Sequence, residues 1–197
     1  MSLESARANV RRARDPFFRR IFQGVGIDIG AGPDNVASGN LFPGIVSCEA
    51  FDREHGDAAH VLQHRPAASY DFVYSSHCLE DLESPVEAIR EWYALVKPDG
   101  YLVLLLPDED LYEQGFFPSH FNSNHFWTFT IAKRQTESWS PRSINLISLI
   151  VENLPHSRIM RVSVEDSNYD YSLTNVDQTA ASPGAEANIE TVIKKLK

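Results

Sequence analysis

The stretch Gly26-Ile-Asp-Ile-Gly-Ala-Gly32 restricts the fold of this chain more than any other feature. An apolar run leads directly into a Gly-x-Gly turn, in which two glycines let the backbone approach a ligand closely. In open α/β sheets such a turn stands at the carboxyl end of a parallel strand, where ligands bind. The stretch therefore predicts an α/β sheet with a binding site after its first strand.

Further apolar runs follow along the chain, each bounded by Gly, Pro or Asp. They lack clean alternation, which is typical of strands buried on both faces of a parallel sheet. We predict strands at Val25–Ile29, Ile45–Cys48, Phe72–Ser75 and Tyr101–Leu106. Between the last two, Ser84 and Pro85 begin an amphipathic helix, Glu87 completes a capping box, and Lys97-Pro98 ends the run. Strand, helix and strand form a βαβ unit.

The second half of the chain predicts another helix and a hairpin. Ser140 and Pro141 begin the helix, and Pro155 follows its end. Two strands are expected around the turn Asp166-Ser167-Asn168. The predicted fold is a doubly wound, mostly parallel seven-stranded Rossmann-like sheet with an antiparallel final hairpin.

The length of 197 residues suits a single domain with its own core. We expect an N-terminal basic helical segment at 1–24, the α/β domain at 25–180 and a C-terminal helix at 181–197. Within the domain, residues 108–139 are interpreted as a segment that covers the substrate.

Composition excludes several classes of function. A net charge of -9 argues against a broad grip on nucleic acid or an anionic membrane, since both need a basic face. The arginines between Arg7 and Arg20 are interpreted as part of a solvated helix, with a phosphate-bearing substrate or partner as the alternative. No apolar run approaches the ~20 residues of a membrane span. Cys48 and Cys78 are far apart, which favours a reducing compartment, the cytoplasm.

Pro33 and Asp34 discriminate among ligands of the glycine loop. A dinucleotide would place its pyrophosphate at the start of the following helix, where Asp34 could cap the helix but would repel a phosphate. S-adenosylmethionine carries no phosphate and a net positive charge, so an acidic rim suits it. Asp28, Asp52 and Asp57 are expected to line one crevice, and Asp52 lies about where an acidic residue binds a ribose diol.

Five motifs in sequence order resemble those of class I S-adenosylmethionine-dependent methyltransferases. They are GIDIGAG, SCEAFD, GDA, YDFVYSSHCLEDL and IREWYALVKPDGYLVLLLP, from Gly26 to Pro107. The resemblance implies S-adenosyl-L-methionine as the cofactor and a small-molecule methyl acceptor as the partner. It implies cofactor-binding roles for Asp28, Gly30, Gly32, Asp52, Asp57, Ala58, Ser75 and Ser76.

Within that set, the resemblance implies a division of labour. The two glycines contact the methionine moiety, and Asp28 orients their loop or the ammonium. Asp52 binds the ribose hydroxyls, while Asp57 and Ala58 meet the adenine. Ser75 and Ser76, together with His77, border the transferable methyl group.

Four features depart from the pattern of the family. Asp34 and Asp99 stand where the family has glycines, and Asp81 stands where a histidine is common. The connection from Asp52 to Gly56 is also too short for the usual second helix. Asp99-Gly100 nevertheless keeps good turn chemistry.

Three histidines are candidate general bases. Methyl transfer is an in-line displacement, in which a base is needed where the acceptor is a hydroxyl. His77 follows a predicted strand, while His120 and His125 lie in the expected cover segment. A structural hydrogen bond is the alternative for His77. The aromatic residues of the cover segment form either an ordinary packed subdomain or an apolar acceptor pocket.

No metal site is expected. His55, His60 and His64 lie close in sequence, but no cysteine pair or His-Glu-x-x-His pattern accompanies them.

The sequence therefore predicts an S-adenosylmethionine-dependent methyltransferase that acts on a small molecule or biosynthetic intermediate, at oxygen in preference to nitrogen. One alternative is a catalytically inactive methyltransferase-like binding module, motivated by Asp34 and Asp99. A less favoured alternative is an NAD-dependent oxidoreductase, which Pro33 and Asp34 oppose.

Overall fold

A mixed sheet of six strands organises the protein, which is described by a computed structural model for residues 3–181 and 183–197. The strand order is β2-β1-β3-β4-β8-β7, and all strands run parallel except β8, which is antiparallel to both of its neighbours. The strands are β1 (Gly24–Ile29), β2 (Ile45–Phe51), β3 (Tyr70–Ser76), β4 (Val96–Pro107), β7 (Ser157–Glu165) and β8 (Asn188–Lys195). A separate parallel pair consists of β5 (Thr128–Thr130) and β6 (Ser143–Asn145).

Helices cover both faces of the sheet, as the predicted α/β class requires. They are α1 (Leu3–Ala13), α2 (Pro16–Ile21), α3 (Pro85–Leu95) and α4 (Leu146–Asn153). One face packs α3 and α4 against residues such as Ile27 and Leu104. The other packs Phe18 and Ile21 of α2 against Phe72 and Tyr74. None of the helices in the described part of the chain is long and apolar enough to cross a membrane.

The main sheet has six strands, so the predicted number of seven is wrong. The chain between β2 and β3 accounts for the difference. Within residues 52–69 it forms a 3₁₀ helix, Ala58–Gln63, and no further strand. As a result β2 is an edge strand, and Val46 in it is 80% exposed.

The predicted C-terminal helix is wrong, because this part of the chain contains β8. Ile189, Val192 and Ile193 have helical spacing, but the segment is rich in β-branched residues, which suit a strand. Pairing also decides the outcome, since β8 fills the gap between β4 and β7 and hydrogen-bonds to both. The final hairpin is therefore made by β7 and β8, and the second strand predicted just after Asn168 does not form.

The two central helices differ in how well the sequence predicted them. Helix α3 begins at Pro85 as expected, although the Ser84 side chain makes no capping hydrogen bond. Helix α4 begins at Leu146 instead of Pro141, and the side chain of Asn145 caps it by accepting the N–H of Ser148 at 2.9 Å. The intervening residues pair with β5, which takes their backbone out of the helix.

The arginines of α1 bind within the protein. Arg12 is fully buried, and its guanidinium donates to Glu190 Oε1 at 2.7 Å and to the Tyr74 hydroxyl at 2.8 Å. Arg11 pairs with Glu186 at 2.9 Å, and Arg7 donates to the Thr179 carbonyl at 2.9 Å. These contacts replace the solvated helix expected from the sequence. Arg7 and Arg11 also line a second cavity, together with Arg14.

Replacing Arg12 with alanine should lower the free energy of unfolding by about 3 kcal/mol, because the buried Glu190 carboxylate would keep only Arg11 as an ionic partner and the Tyr74 hydroxyl would lose its donor. Denaturant titration measures the change. The matched control is Arg14→Ala on the exposed side of the same region, for which little change is expected. A loss for Arg12→Ala no larger than that of the control would contradict the importance of the ion pair.

Candidate functional site

A cleft of about 600 Å³ opens at the carboxyl ends of β1, β2 and β3. Its position is the one predicted for ligands in this type of sheet. The residues lining the cleft that the sequence singled out are Gly30, Gly32, Asp52, Asp57, Ala58 and His77. Arg53, Cys78 and Asp81 complete its polar and reactive lining.

The glycine loop forms one wall of the cleft through backbone geometry that requires glycine. Gly30 has φ +75°, and a Cβ atom there would lie 2.7 Å from the Cβ of Cys78. Gly32 has φ +52° and faces open space, where no atom would contact an added Cβ. Its N–H donates to Asp52 Oδ1 at 3.0 Å, which joins the loop to the end of β2. The backbone is therefore bare towards the cleft and free to approach a ligand.

Asp28 lies beneath the loop and does not line the cleft. It is 1% exposed, and its carboxylate accepts the N–H of Val36 at 2.7 Å. Burial raises the pKa of Asp28 to about 8. The group is mostly neutral at pH 7, so it is suited to holding the loop and poorly suited to attracting an ammonium.

The predicted helix after the loop is absent from this part of the structure. The chain between β1 and β2 contains a single 3₁₀ turn, Ser38–Asn40. Asp34 therefore caps no helix, and the prediction that it could do so is wrong. The loop is held instead by Asp28 and by the side chain of Asn35, which accepts the N–H of Ala37 at 2.9 Å.

Ser75 and Ser76 end β3 with their hydroxyls bonded inside the protein. Ser75 donates to the carbonyl of Ile29 at 2.8 Å, and Ser76 lies 2.7 Å from the hydroxyl of Ser5 in α1. Neither serine lines the cleft, in contrast to the expectation that they border the methyl group. The chain turn that follows carries the adjacent His77 into the cleft lining.

Two acidic residues mark the opposite end of the cleft. Asp57 lines it but also caps the 3₁₀ helix Ala58–Gln63 by accepting the N–H of Ala59 at 2.8 Å. Asp52 lines the cleft beside the exposed Glu54 and His55. Two carboxylate oxygens and an imidazole nitrogen of these three residues, atoms that could bind a metal ion, lie within 4.8 Å of one another. His60 lies against Glu91, and His64 lies against Phe51, whose ring His55 also contacts.

His77 is an imidazole between two carboxylates. Its Nε2 lies 3.6 Å from Glu4 Oε2, and its Nδ1 lies 3.4 Å from Glu80 Oε1. Burial lowers the pKa of His77, but the two carboxylates outweigh burial and raise it to about 9. A protonated imidazole cannot accept a proton, so at pH 7 His77 is a hydrogen-bond donor and not the general base that the sequence suggested.

Asp81 is the cleft residue whose properties suit a base. Burial and the neighbouring Glu80 raise the pKa of Asp81 to about 6, against the opposing effects of His125, His77 and Arg53. Its Oδ1 atom is buried, and no hydrogen-bond partner for it exists among the described residues. The carboxylate is thus ionised at neutral pH yet basic enough to take a proton.

The other two candidate bases lie in the cover segment and do not line the cleft. His120 is exposed and stacks on Phe116, with ring centroids 4.3 Å apart. His125 is buried, with Nδ1 2.6 Å from Glu113 Oε1 and Nε2 4.0 Å from Asp81 Oδ1. Glu113 and Glu80 raise the pKa of His125 despite its burial. His125 therefore lies behind the cleft lining, next to Asp81 and Glu80.

The lining suits S-adenosylmethionine through its exposed glycine backbone and its charge. Bare glycine backbone stands on one wall, and Asp52 stands one strand away with an oxygen already facing the loop. Three carboxylates line the cleft, from Asp52, Asp57 and Asp81, against the cations of Arg53 and His77. An acidic lining favours a cofactor with a net positive charge over one that carries phosphates.

Comparison with known proteins identifies the family. Residues 4–152 match the sequence profile of a methyltransferase domain, so the chain belongs to this methyltransferase family. No curated protein sequence matches the chain significantly. The protein is an enzyme of the methyltransferase class, and S-adenosylmethionine is its expected cofactor. The NAD-dependent oxidoreductase alternative is therefore set aside.

Solved structures share the fold at low sequence identity. One is an S-adenosylmethionine-dependent methyltransferase from Archaeoglobus fulgidus, with 17% identity and a TM-score of 0.56, covering 97% of this chain and 94% of that chain. Another, from Methanosarcina mazei, has 12% identity and a TM-score of 0.55, covering 92% and 98%. Mitomycin 7-O-methyltransferase has 15% identity and a TM-score of 0.56, covering 98% of this chain and 54% of its own. The Rossmann-like methyltransferase fold is confirmed.

Replacing Asp52 with alanine should weaken the binding of S-adenosylhomocysteine by about 1–3 kcal/mol, because a charged hydrogen-bond acceptor at the loop is lost. Isothermal titration calorimetry measures the change. Glu54→Ala removes an exposed carboxylate two residues away and serves as the control. Equal affinities for Asp52→Ala and the unaltered protein would show that the ribose is bound elsewhere.

Proposed function

We propose that the protein transfers a methyl group from S-adenosylmethionine to a hydroxyl oxygen of a small molecule in the cleft, with Asp81 as the proton acceptor. The observation that supports this most is the Asp81 carboxylate, which lines the cleft beside His77 and has a buried oxygen with no partner in the described chain. A hydroxyl acceptor fits that oxygen, because it donates a hydrogen bond before transfer and loses its proton during transfer.

The cofactor is proposed to lie along the glycine loop. Gly30 and Gly32 would meet the methionine part, Asp52 the ribose, and Asp57 with Ala58 the adenine. Asp28 would act indirectly, by fixing the loop through Val36. When bound, S-adenosylmethionine supplies an activated methyl group, so the residues of the chain mainly have to orient the acceptor and exclude water.

His77 and Asp81 divide the work on the acceptor. The imidazole of His77, whose nitrogens face Glu4 and Glu80, places a positive charge beside the acceptor, and the Asp81 carboxylate takes the proton that the hydroxyl releases. His125 orients Asp81 from behind, held by Glu113 at 2.6 Å. The cover segment is attached next to Asp81, because the backbone carbonyl of Glu80 accepts the N–H groups of Phe126 at 2.8 Å and Trp127 at 3.3 Å.

Oxygen is preferred to nitrogen because an ionisable base borders the cleft, whereas a neutral amine needs no base to attack. The cytoplasm is the proposed location, in keeping with the free thiols of Cys48 and Cys78.

The inactive binding module differs from the proposed enzyme in one measurable respect, which is turnover. Transfer of tritium from methyl-labelled S-adenosylmethionine to the small-molecule fraction of a cell extract tests it. Binding of the cofactor without any transfer would contradict the proposal.

The rate of methyl transfer should rise with pH through about 6, because Asp81 accepts a proton only in its ionised form. Asp81→Asn should lower the rate by a factor of about 10² to 10⁴, the usual contribution of a general base, and should remove the rise. Initial rates of tritium transfer between pH 5 and 8 provide the measurement. An unchanged rate and pH profile in Asp81→Asn would exclude Asp81 as the proton acceptor.

A further inference from the structure

Six ionisable side chains from distant parts of the chain meet at the end of the cleft near β3. They come from α1, from the turn after β3 and from the cover segment, and we call them the acidic cluster: Glu4, His77, Glu80, Asp81, Glu113 and His125. Two of them, His77 and Asp81, also line the cleft. The other four lie buried behind these two, so the cluster adjoins the proposed acceptor site through His77 and Asp81.

Glu80 lies at the centre of the acidic cluster. It is fully buried, with Oε1 3.4 Å from His77 Nδ1 and 4.0 Å from His125 Nε2. The carboxylate thus points between the two imidazoles. Glu4 approaches His77 from the other side, with Oε2 3.6 Å from Nε2.

The acidic cluster has more negative than positive charge. It contains four carboxylates and two imidazoles, so a formal charge of -2 remains when all six groups are ionised. Burial raises the pKa of Glu4, and the positive charges of Arg7 and Arg53 act on Glu4 and Asp81 from outside the cluster. The hydrogen-bonding capacity is unbalanced in the same direction. Within residues 3–181 and 183–197, no hydrogen-bond partner exists for five buried oxygens of the cluster, against one buried nitrogen, His77 Nε2; the oxygens are Glu4 Oε1, Glu80 Oε1, Glu80 Oε2, Asp81 Oδ1 and Glu113 Oε2.

Such an arrangement is costly for the protein alone. A buried carboxylate without hydrogen bonds loses its hydration and gains little in return. Five acceptor atoms in one place call for N–H donors, and the excess negative charge calls for a cation. An ammonium or guanidinium group supplies both.

We infer that the acceptor molecule carries a cationic nitrogen, an ammonium or guanidinium group, which the negative charge of the acidic cluster attracts to its end of the cleft while the hydroxyl of the same molecule faces Asp81. This inference rests on the proposed function, because it names the chemistry of its acceptor. Glu80 and Glu4 are specificity-determining residues in this arrangement. The N-terminal helix α1 contributes to substrate choice through Glu4.

The same cationic chemistry has a second source, since S-adenosylmethionine carries an ammonium of its own. The geometry favours the acceptor. The glycine loop and Asp52 form the wall proposed for the cofactor, whereas Glu4, Glu113 and His125 belong to α1 and the cover segment. The experiment below separates the two sources by measuring acceptor-site and cofactor binding independently.

The test compares two probes of the same shape that differ in charge, 2-phenylethylammonium and 2-phenylethanol. Each is titrated by calorimetry into protein saturated with S-adenosylhomocysteine. The ammonium should bind about tenfold more tightly or better, the scale of one charge-assisted hydrogen bond. Glu80→Gln should remove most of this preference, because it keeps the shape of the side chain and removes its charge.

Two further variants complete the design. Glu4→Gln lies on a different element and also should reduce the preference, which keeps the test decisive if Glu80→Gln fails to fold. Glu83→Gln alters an exposed carboxylate three residues from Glu80 and should leave the preference unchanged. Circular dichroism spectra establish that each variant is folded.

The outcomes either support the inference or overturn it. A preference that both cluster variants reduce and the control retains supports it. Equal affinity for both probes, no binding of the ammonium up to about 20 mM, or a preference that survives both cluster variants overturns it. An equal loss of S-adenosylhomocysteine affinity in Glu80→Gln assigns the cluster to the cofactor and also overturns it. Binding of S-adenosylhomocysteine to the unaltered protein is measured first. Failure of this binding counts against the proposed function, whereas the results with the two probes count only for or against the inference.

Discussion

The buried ion pair between Arg12 and Glu190 joins the first helix of the chain to its last strand. Strand β8 runs between β4 and β7, so Glu190 is fixed deep in the sheet. Arg12 also donates to the hydroxyl of Tyr74 in β3. Because α1 is anchored in this way, Ser5 meets Ser76 and Glu4 meets His77 at the end of β3. The acceptor side of the cleft depends on this connection between the two ends of the chain.

The cofactor side has a different physical basis. A helix after β1 would normally hold a glycine loop of this kind, but here the chain forms only a short 3₁₀ turn. Two aspartate side chains hold the loop instead, since Asp28 accepts an N–H from Val36 and Asp52 accepts one from Gly32. Asp28 lies beneath the loop and Asp52 at the end of the neighbouring strand. The loop is therefore held by hydrogen bonds on two sides while its glycine backbone remains open to a ligand.

Local patterns in the sequence predicted those parts of the protein that are determined locally. The strands β1 to β4, helix α3 and the cleft positions of Gly30, Gly32 and Asp52 all follow from apolar runs and turn residues. Strand β8 was predicted as a helix because its apolar spacing fits both the helical and the strand period. Its hydrogen-bonded pairing with β4 and β7 decides in favour of the strand. Glu4, Glu80 and Glu113 were missed because each is an ordinary acidic residue in sequence. Their meeting is a tertiary event, and the one available signal was the high density of acidic residues near His77 and Asp108.

A crystal structure of the protein with S-adenosylhomocysteine would show where the cofactor binds. We expect the ligand in the cleft at the ends of β1 to β3, with its ribose hydroxyls at Asp52 and its sulfur directed towards His77 and Asp81. A second cavity of about 740 Å³ lies on the other side of α1, beside Arg14 and Asn168. Ligand density in that cavity, with the cleft empty, would contradict the account.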